Sequence, residues 1–133
     1  MIDYENEIYS VVASALREQF EGISVYSKLN LSPASFPCVC FVEADNAVYR
    51  KSQDSGSMER HAEVMYEVNV MSSKSSGAKA ECKAIFSVID SIMAEHTFTR
   101  MTKLPVDEEA PIMYRLCGRY RGVVSENKEI YTR

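Results

Sequence analysis

Apolar and polar positions alternate with period two from Ala62 to Val70, then recur at helical spacing from Ala78 to His96. Val64, Tyr66, Val68 and Val70 fall on one side of the first stretch, and Glu63, Met65, Glu67 and Asn69 on the other. Side chains alternate across a strand, so this pattern predicts a strand with one buried face. The polar bridge Ser72–Gly77 leads into a helix, roughly Ser76–Glu95, with Cys82, Ile85, Phe86, Ile89, Ile92 and Met93 as its buried stripe and Val88 beside it. Lys79, Glu81, Lys83, Asp90 and Glu95 make its solvated face.

Upstream, Asp3–Phe20 reads as an amphipathic helix with Ile8, Val11, Val12, Ala15, Leu16 and Phe20 on its apolar stripe. Asp3 is placed to cap it, Glu5 and Glu7 suit the positive end of its dipole, and Gly22 stops it. Ile23–Tyr26 is a short strand, and the Pro33-containing stretch Leu29–Phe36 a loop. Pro37–Glu43 is apolar on both faces, as an inner strand is, and continues past a turn or bulge at Asp45-Asn46 into Ala47–Arg50. Lys51–Ser57 lacks apolar residues and predicts an exposed hairpin loop between this strand and the next.

Thr97–Leu104 is extended, Pro105–Pro111 an acidic turn, and Ile112–Val124 the last long strand. Ile112, Tyr114, Leu116, Gly118 and Tyr120 lie on one side of that strand, and Met113, Arg115, Cys117, Arg119, Arg121 and Val123 on the other. The tail Glu129-Ile130-Tyr131 adds an edge pairing or docks on a neighbour. The expected architecture is α+β, in the order α-β-β-β-α-β-β. Residues 1–133 form one domain, a single mostly antiparallel sheet with both amphipathic helices packed on one face.

A chain of 133 residues with 46% hydrophobic content can bury one core. A net charge of −4 and a pI near 5.2 give no electrostatic reason to expect nucleic-acid binding. The apolar run Pro37–Val42 is far shorter than a membrane span, and the acidic start Met1–Glu7 lacks the order of a signal peptide, so the expectation is a cytoplasmic protein without a membrane partner. Cys38, Cys40, Cys82 and Cys117 then read as free core thiols; Cys-x-Cys without a second ligand pair is not a zinc spacing.

Catalytic chemistry has little to work with. His61 and His96 are the only histidines, and neither has Cys, Asp or Glu at metal-ligand spacing; His96 follows a helix end, where a cation suits the dipole. Asp107-Glu108-Glu109 reads as a solvated turn, and neither a P-loop nor a dinucleotide fingerprint is present. No catalytic residue, cofactor or metal is expected. The feature that stands out is the row Arg115, Arg119 and Arg121 on one strand face. It is either a solvated sheet face or an interface that meets acidic groups or borders a polyanion channel. Met65 and Met113, on otherwise polar strand faces, point to contact, and the loop residues Lys51, Gln53 and Asp54 join them as candidate assembly positions.

The segments Phe36–Asn46, Glu59–Val70, Ser76–Ile85, Phe98-Thr99-Arg100 and Ile112–Leu116 resemble the tail terminator, or tail-completion, proteins of long-tailed phages and prophages of Gram-positive bacteria. The likeness runs over most of the chain as an overall pattern, without an invariant signature. It implies a ring, commonly a hexamer, that caps the head-proximal end of a tail tube, stops its polymerisation and joins it to the neck. The implied partners are further copies of the chain, the tail tube protein and the neck or head–tail connector protein, with DNA passing through the lumen. The implied location is the virion tail, after assembly in the host cytoplasm. A head–tail adaptor protein and a small cellular α+β ligand-binding domain are the competing expectations.

Overall fold

The computed structural model describes residues 1–30, 33, 35–49, 60–106 and 114–131. The chain runs α1 (Glu5–Gln19), β1 (Ser24–Tyr26), β2 (Cys38–Val48), β3 (His61–Ser72), α2 (Ala78–Glu95), β4 (Thr99–Pro105), β5 (Tyr114–Ser125) and β6 (Ile130–Tyr131). The strands form one sheet in the order β1-β2-β3-β5-β4, with β6 paired to the end of β5. The β1–β2 pairing is parallel and the other pairings are antiparallel. This is the expected α+β order, with β6 as the tail pairing. The predicted loop Lys51–Ser57 and the acidic stretch Asp107–Glu109 lie outside the described residues.

The long alternating strands occupy the middle because only there are both neighbours available. β3 and β5 pair along their full lengths, from His61 opposite Ser125 to Ser72 opposite Tyr114. Ala62, Val64, Tyr66, Val68 and Val70 of β3 and Leu116, Tyr120 and Val124 of β5 are buried beneath the helices. Tyr66 sits at the centre of this layer, stacked on Phe41 (centroids 5.4 Å apart) and edge-on to Phe98 (5.6 Å).

Both helices lie on that face. α2 buries Cys82, Ile85, Phe86, Ile89 and Met93 against β3, β4 and β5. At about 1.5–3 kcal/mol for each fully buried large apolar side chain, this stripe, rather than helix propensity, holds α2 in place. Two glycines of β5 set how closely the neighbours approach. A Cβ on Gly118 would lie 2.4 Å from the Phe86 ring, and one on Gly122 would lie 2.4 Å from Phe98. Each glycine leaves the space that an aromatic ring fills.

Several details depart from the sequence pattern. α1 buries Ile8, Val12, Ala13 and Leu16, while Val11 is 39% exposed. The helix meets the sheet along a narrow stripe, and Val11 falls outside it. Asp3 is not the N-cap; that position is Tyr4, and the Asp3 carboxylate instead accepts the Glu5 N–H at 3.1 Å. Ile92 is only half-buried, and β4 starts at Thr99 because Thr97 takes a left-handed turn (φ 63°) after α2. Val123, on the polar side of β5, is buried because Tyr131 of β6 pairs across from it.

The bulge in β2 falls between Glu43 and Asp45. Before it, Val39 and Phe41 face the helices. Beyond it, Asn46 donates to the Ile2 carbonyl (2.9 Å) and to Glu43 (3.2 Å), while Glu5 accepts the Glu43 N–H (2.9 Å). The N-terminal segment is thus tied to the edge of β2. The far side of the sheet is covered at the other end of β2, where the strand begins. Cys38, Cys40 and Met71 form a small buried cluster under Tyr26 and Phe36, separate from the core beneath the helices.

Candidate functional site

Starting beside that cluster, where Arg115 lies opposite Met71, the sheet face opposite the helices carries the arginine row. Its pairing groups come from the adjacent strand of the same chain. Arg115 Nε donates to Asn69 Oδ1 at 2.9 Å. Arg119 bonds Glu67 through Nε and Nη2 at 3.2 and 3.0 Å, and Arg121 bonds Glu63 through the same atoms at 2.9 and 2.8 Å. Arg119 faces Glu67 directly across the ladder, whereas Arg121 and Arg115 reach diagonally past Met65 and Met71. The Arg121 guanidinium holds the Glu63 carboxyl below the usual carboxylate range. Among the described residues the row is therefore part of a cross-strand ladder, Arg119 and Arg121 on Glu67 and Glu63 and Arg115 on the Asn69 amide. Met65 lies within it, half-buried. Lys51, Gln53, Asp54 and Met113 lie outside the described residues.

The thiol cluster has local chemistry of its own. Cys40 Sγ accepts the Asn30 N–H at 3.3 Å and its thiol donates to the Asn30 carbonyl at 3.7 Å. The Cys38 thiol beside it holds Cys40 low, and the same contact with burial pushes Cys38 up. Both are fully buried, and among the described residues no group of three or more His, Cys, Asp or Glu side chains is placed to hold a metal ion. No described helix is long and apolar enough to cross a membrane. His96 caps α2 through Nδ1, which donates to the Ile92 carbonyl at 2.9 Å.

Two further features escaped the sequence pattern. Between α2 and β4 runs a groove of about 420 Å³, lined by Lys83, Phe86, Asp90, Arg100 and Lys103 with two serines. Asp90 ties its walls together, accepting from Tyr120 Oη (2.8 Å) and pairing with Arg100 (3.0 Å). Lys103 lies over the Phe86 ring, 5.9 Å from its centroid. Lys83 and Lys103 form no ion pair with a described residue. At the other side of the sheet, Asp3, Glu5, Glu43 and Asp45 gather where α1 begins beside the edge of β2. Burial raises the Glu43 carboxyl; the Asn46 hydrogen bond opposes this, and the charges of Glu5, Asp3 and Asp45 add to it.

These groups escaped because their spacing is tertiary. Lys83 and Lys103 are 20 positions apart in sequence, and Glu5 and Glu43 are 38 apart. The available signal was weak: the residues past the α2 stripe on the β4 side are Lys83, Ser87 and Asp90. Exposed large apolar residues mark the same two ends. Met101 (53%) and Leu104 (47%) lie on β4, while Val11 (39%), Leu29 (47%) and Val48 (42%) lie on or next to α1, β1 and β2.

Fold and surface together define an α+β protein with one helix-covered sheet face, a self-paired polar face and two chemically unlike edges. Comparison with protein-family models finds no match, and comparison with curated proteins finds none.

Proposed function

We propose that the chain is a structural protein of a phage tail or tail-like particle. Copies join head to tail into a ring, with a hexamer as the expected count. The ring caps the head-proximal end of the tail tube, stops its growth and joins it to the neck. The proposal starts from the sequence resemblance to tail terminators. The observation that carries it is the placement of exposed apolar side chains at opposite ends of the sheet, Met101 and Leu104 at one and Val11, Leu29 and Val48 at the other. A cyclic ring of more than two copies needs two different, mutually complementary patches, since each contact joins one patch to the other. On this reading the protein acts by contact, without catalysis or a cofactor, and resides in the virion tail.

Mass measurement of the purified full chain, alone and with polymerising tail tube protein, tests the reading. The expected result is a closed oligomer that shortens or arrests tubes. A chain that stays monomeric in the presence of tube overturns it. Binding to the portal side with no effect on tube length would instead favour the adaptor reading.

A further inference from the structure

The ring reading names no contact residues, and the two ends of the sheet differ in more than apolar content. The sheet order β1-β2-β3-β5-β4 separates β2 from β4 by three strand spacings, about 14 Å, and past Cys40, where β1 no longer pairs it, the outer side of β2 faces away from β4. At the β4 edge the groove carries Lys83, Arg100 and Lys103 and, among the described residues, one carboxylate, Asp90, which Arg100 already pairs. At the β2 edge four described carboxylates gather: Asp3 accepts the Glu5 N–H (3.1 Å), Glu5 accepts the Glu43 N–H (2.9 Å), and Asp45 follows across the bulge. Lys128, bonded at this end, is taken by Glu7.

Resting on the ring reading, we propose that the occupant of the α2–β4 groove is the acidic β2 edge of a second copy of this chain. Lys83 and Lys103 meet the carboxylates of Asp3 and Asp45 in the neighbour, and Met101 and Leu104 on β4 cover apolar surface next to that edge, including Val48. Two features of the groove fit this occupant better than a small anion. It is an open groove beside the edge strand β4, and its cations come from both walls, Lys83 from α2 and Arg100 and Lys103 from β4. The contact joins unlike patches, so it propagates in one direction and closes where the rotation permits. Complementary charge at such a contact steers encounter and fixes register, while like charge placed across it costs several kcal/mol.

The test exchanges the charges on the full chain and measures mass against concentration. Lys83→Glu/Lys103→Glu sets glutamates against the neighbour's Asp3 and Asp45, and Asp3→Lys/Asp45→Lys sets lysines against the neighbour's Lys83 and Lys103. Each double variant alone is expected to need about a hundredfold more protein to assemble, from the cost of like charges in contact. An equimolar mixture is expected to assemble again as an alternating ring, because every contact then joins opposite charges. All four substitutions on one chain are expected to restore assembly as well. Recovery in the mixture cannot come from misfolded chains, and circular dichroism of each variant checks folding directly. Unchanged assembly of both double variants overturns the contact while leaving the ring reading intact, as does failure of the mixture to recover. A wild-type chain that never oligomerises, even with tail tube, overturns both.

Discussion

At the scale of single residues, Tyr66 stands out as a buried hydroxyl without a hydrogen-bond partner among the described residues. Burial, with the charges of Glu43, Glu5 and Asp3 behind it, pushes its phenol far above the ordinary tyrosine range. A hydroxyl buried without a partner costs roughly 1–3 kcal/mol, while the ring itself is held between Phe41 and Phe98. Tyr66→Phe is therefore expected to leave stability unchanged or raise it by about 1 kcal/mol, read as the shift in urea midpoint at constant slope. Glu63 titrates with the opposite kind of consequence. Its pKa is lower folded than unfolded, so the pairing with Arg121 helps fully above the unfolded value near 4.5 and is lost as pH falls through the folded value. The Glu63 side chain is 41% exposed, so solvent screening keeps the effect below about 1 kcal/mol. Glu63→Gln should flatten the acid limb of the stability–pH curve below about pH 4.5 and leave its neutral plateau nearly level.

At the scale of elements, the packing of α2 on β5 is governed by what is missing from the strand. Leu116 and Tyr120 flank Gly118, and Phe86 of α2 occupies the gap between them, stacked at 6.2 Å on Tyr120. Gly118→Ala places a methyl group into that ring. It is expected to destabilise the protein by about 1–3 kcal/mol through overpacking, despite alanine's better backbone propensity. Thermal unfolding of the variant measures this, and Gly118→Ala/Phe86→Leu should recover part of the loss by freeing the space. The pair would then depart from additivity, as residues in contact do. The groove depends on the same arrangement, since Phe86 forms its floor under Lys103. Loss of α2 packing should therefore weaken assembly along with stability.

At the scale of the whole molecule, a protein of net charge −4 carries Lys83, Arg100 and Lys103 at the β4 edge and Asp3, Glu5, Glu43 and Asp45 at the β2 edge. The arginine ladder between them is satisfied within the chain. Assembly through the two edges should therefore respond to salt, whereas the ladder should matter chiefly for the stability of the protomer. Added salt is expected to raise the concentration needed for half-assembly of the wild-type chain, with a smaller effect on unfolding. Sedimentation across an ionic-strength series separates the two. A salt-independent mass would mean that the apolar residues alone hold copies together.

Much of the fold was legible in the sequence because its signals are local. Period-two alternation marked β3 and β5 and sorted their faces, and helical spacing marked α1 and α2. Neither pattern requires knowledge of a neighbour. The residues themselves also placed Arg115, Arg119 and Arg121 on one face with Met65 on the facing strand. What they could not supply was the register between strands, and it is register that puts Glu67 opposite Arg119 and lets Arg121 reach Glu63. The same holds for the two edges. Lys83 meets Lys103 because α2 crosses the sheet above β4, and Glu5 meets Glu43 because the N-terminus returns along β2. Even Val11 was misplaced for this reason: helical periodicity gives the apolar stripe, but the width of the contact decides which of its residues are buried. Sequence alone determined the elements, their faces and their order, since each follows from steric and hydrophobic preferences a few residues long. Tertiary structure alone decided the pairing of the arginine row and the unlike charge of the two edges, because charges act through space between residues far apart in the chain.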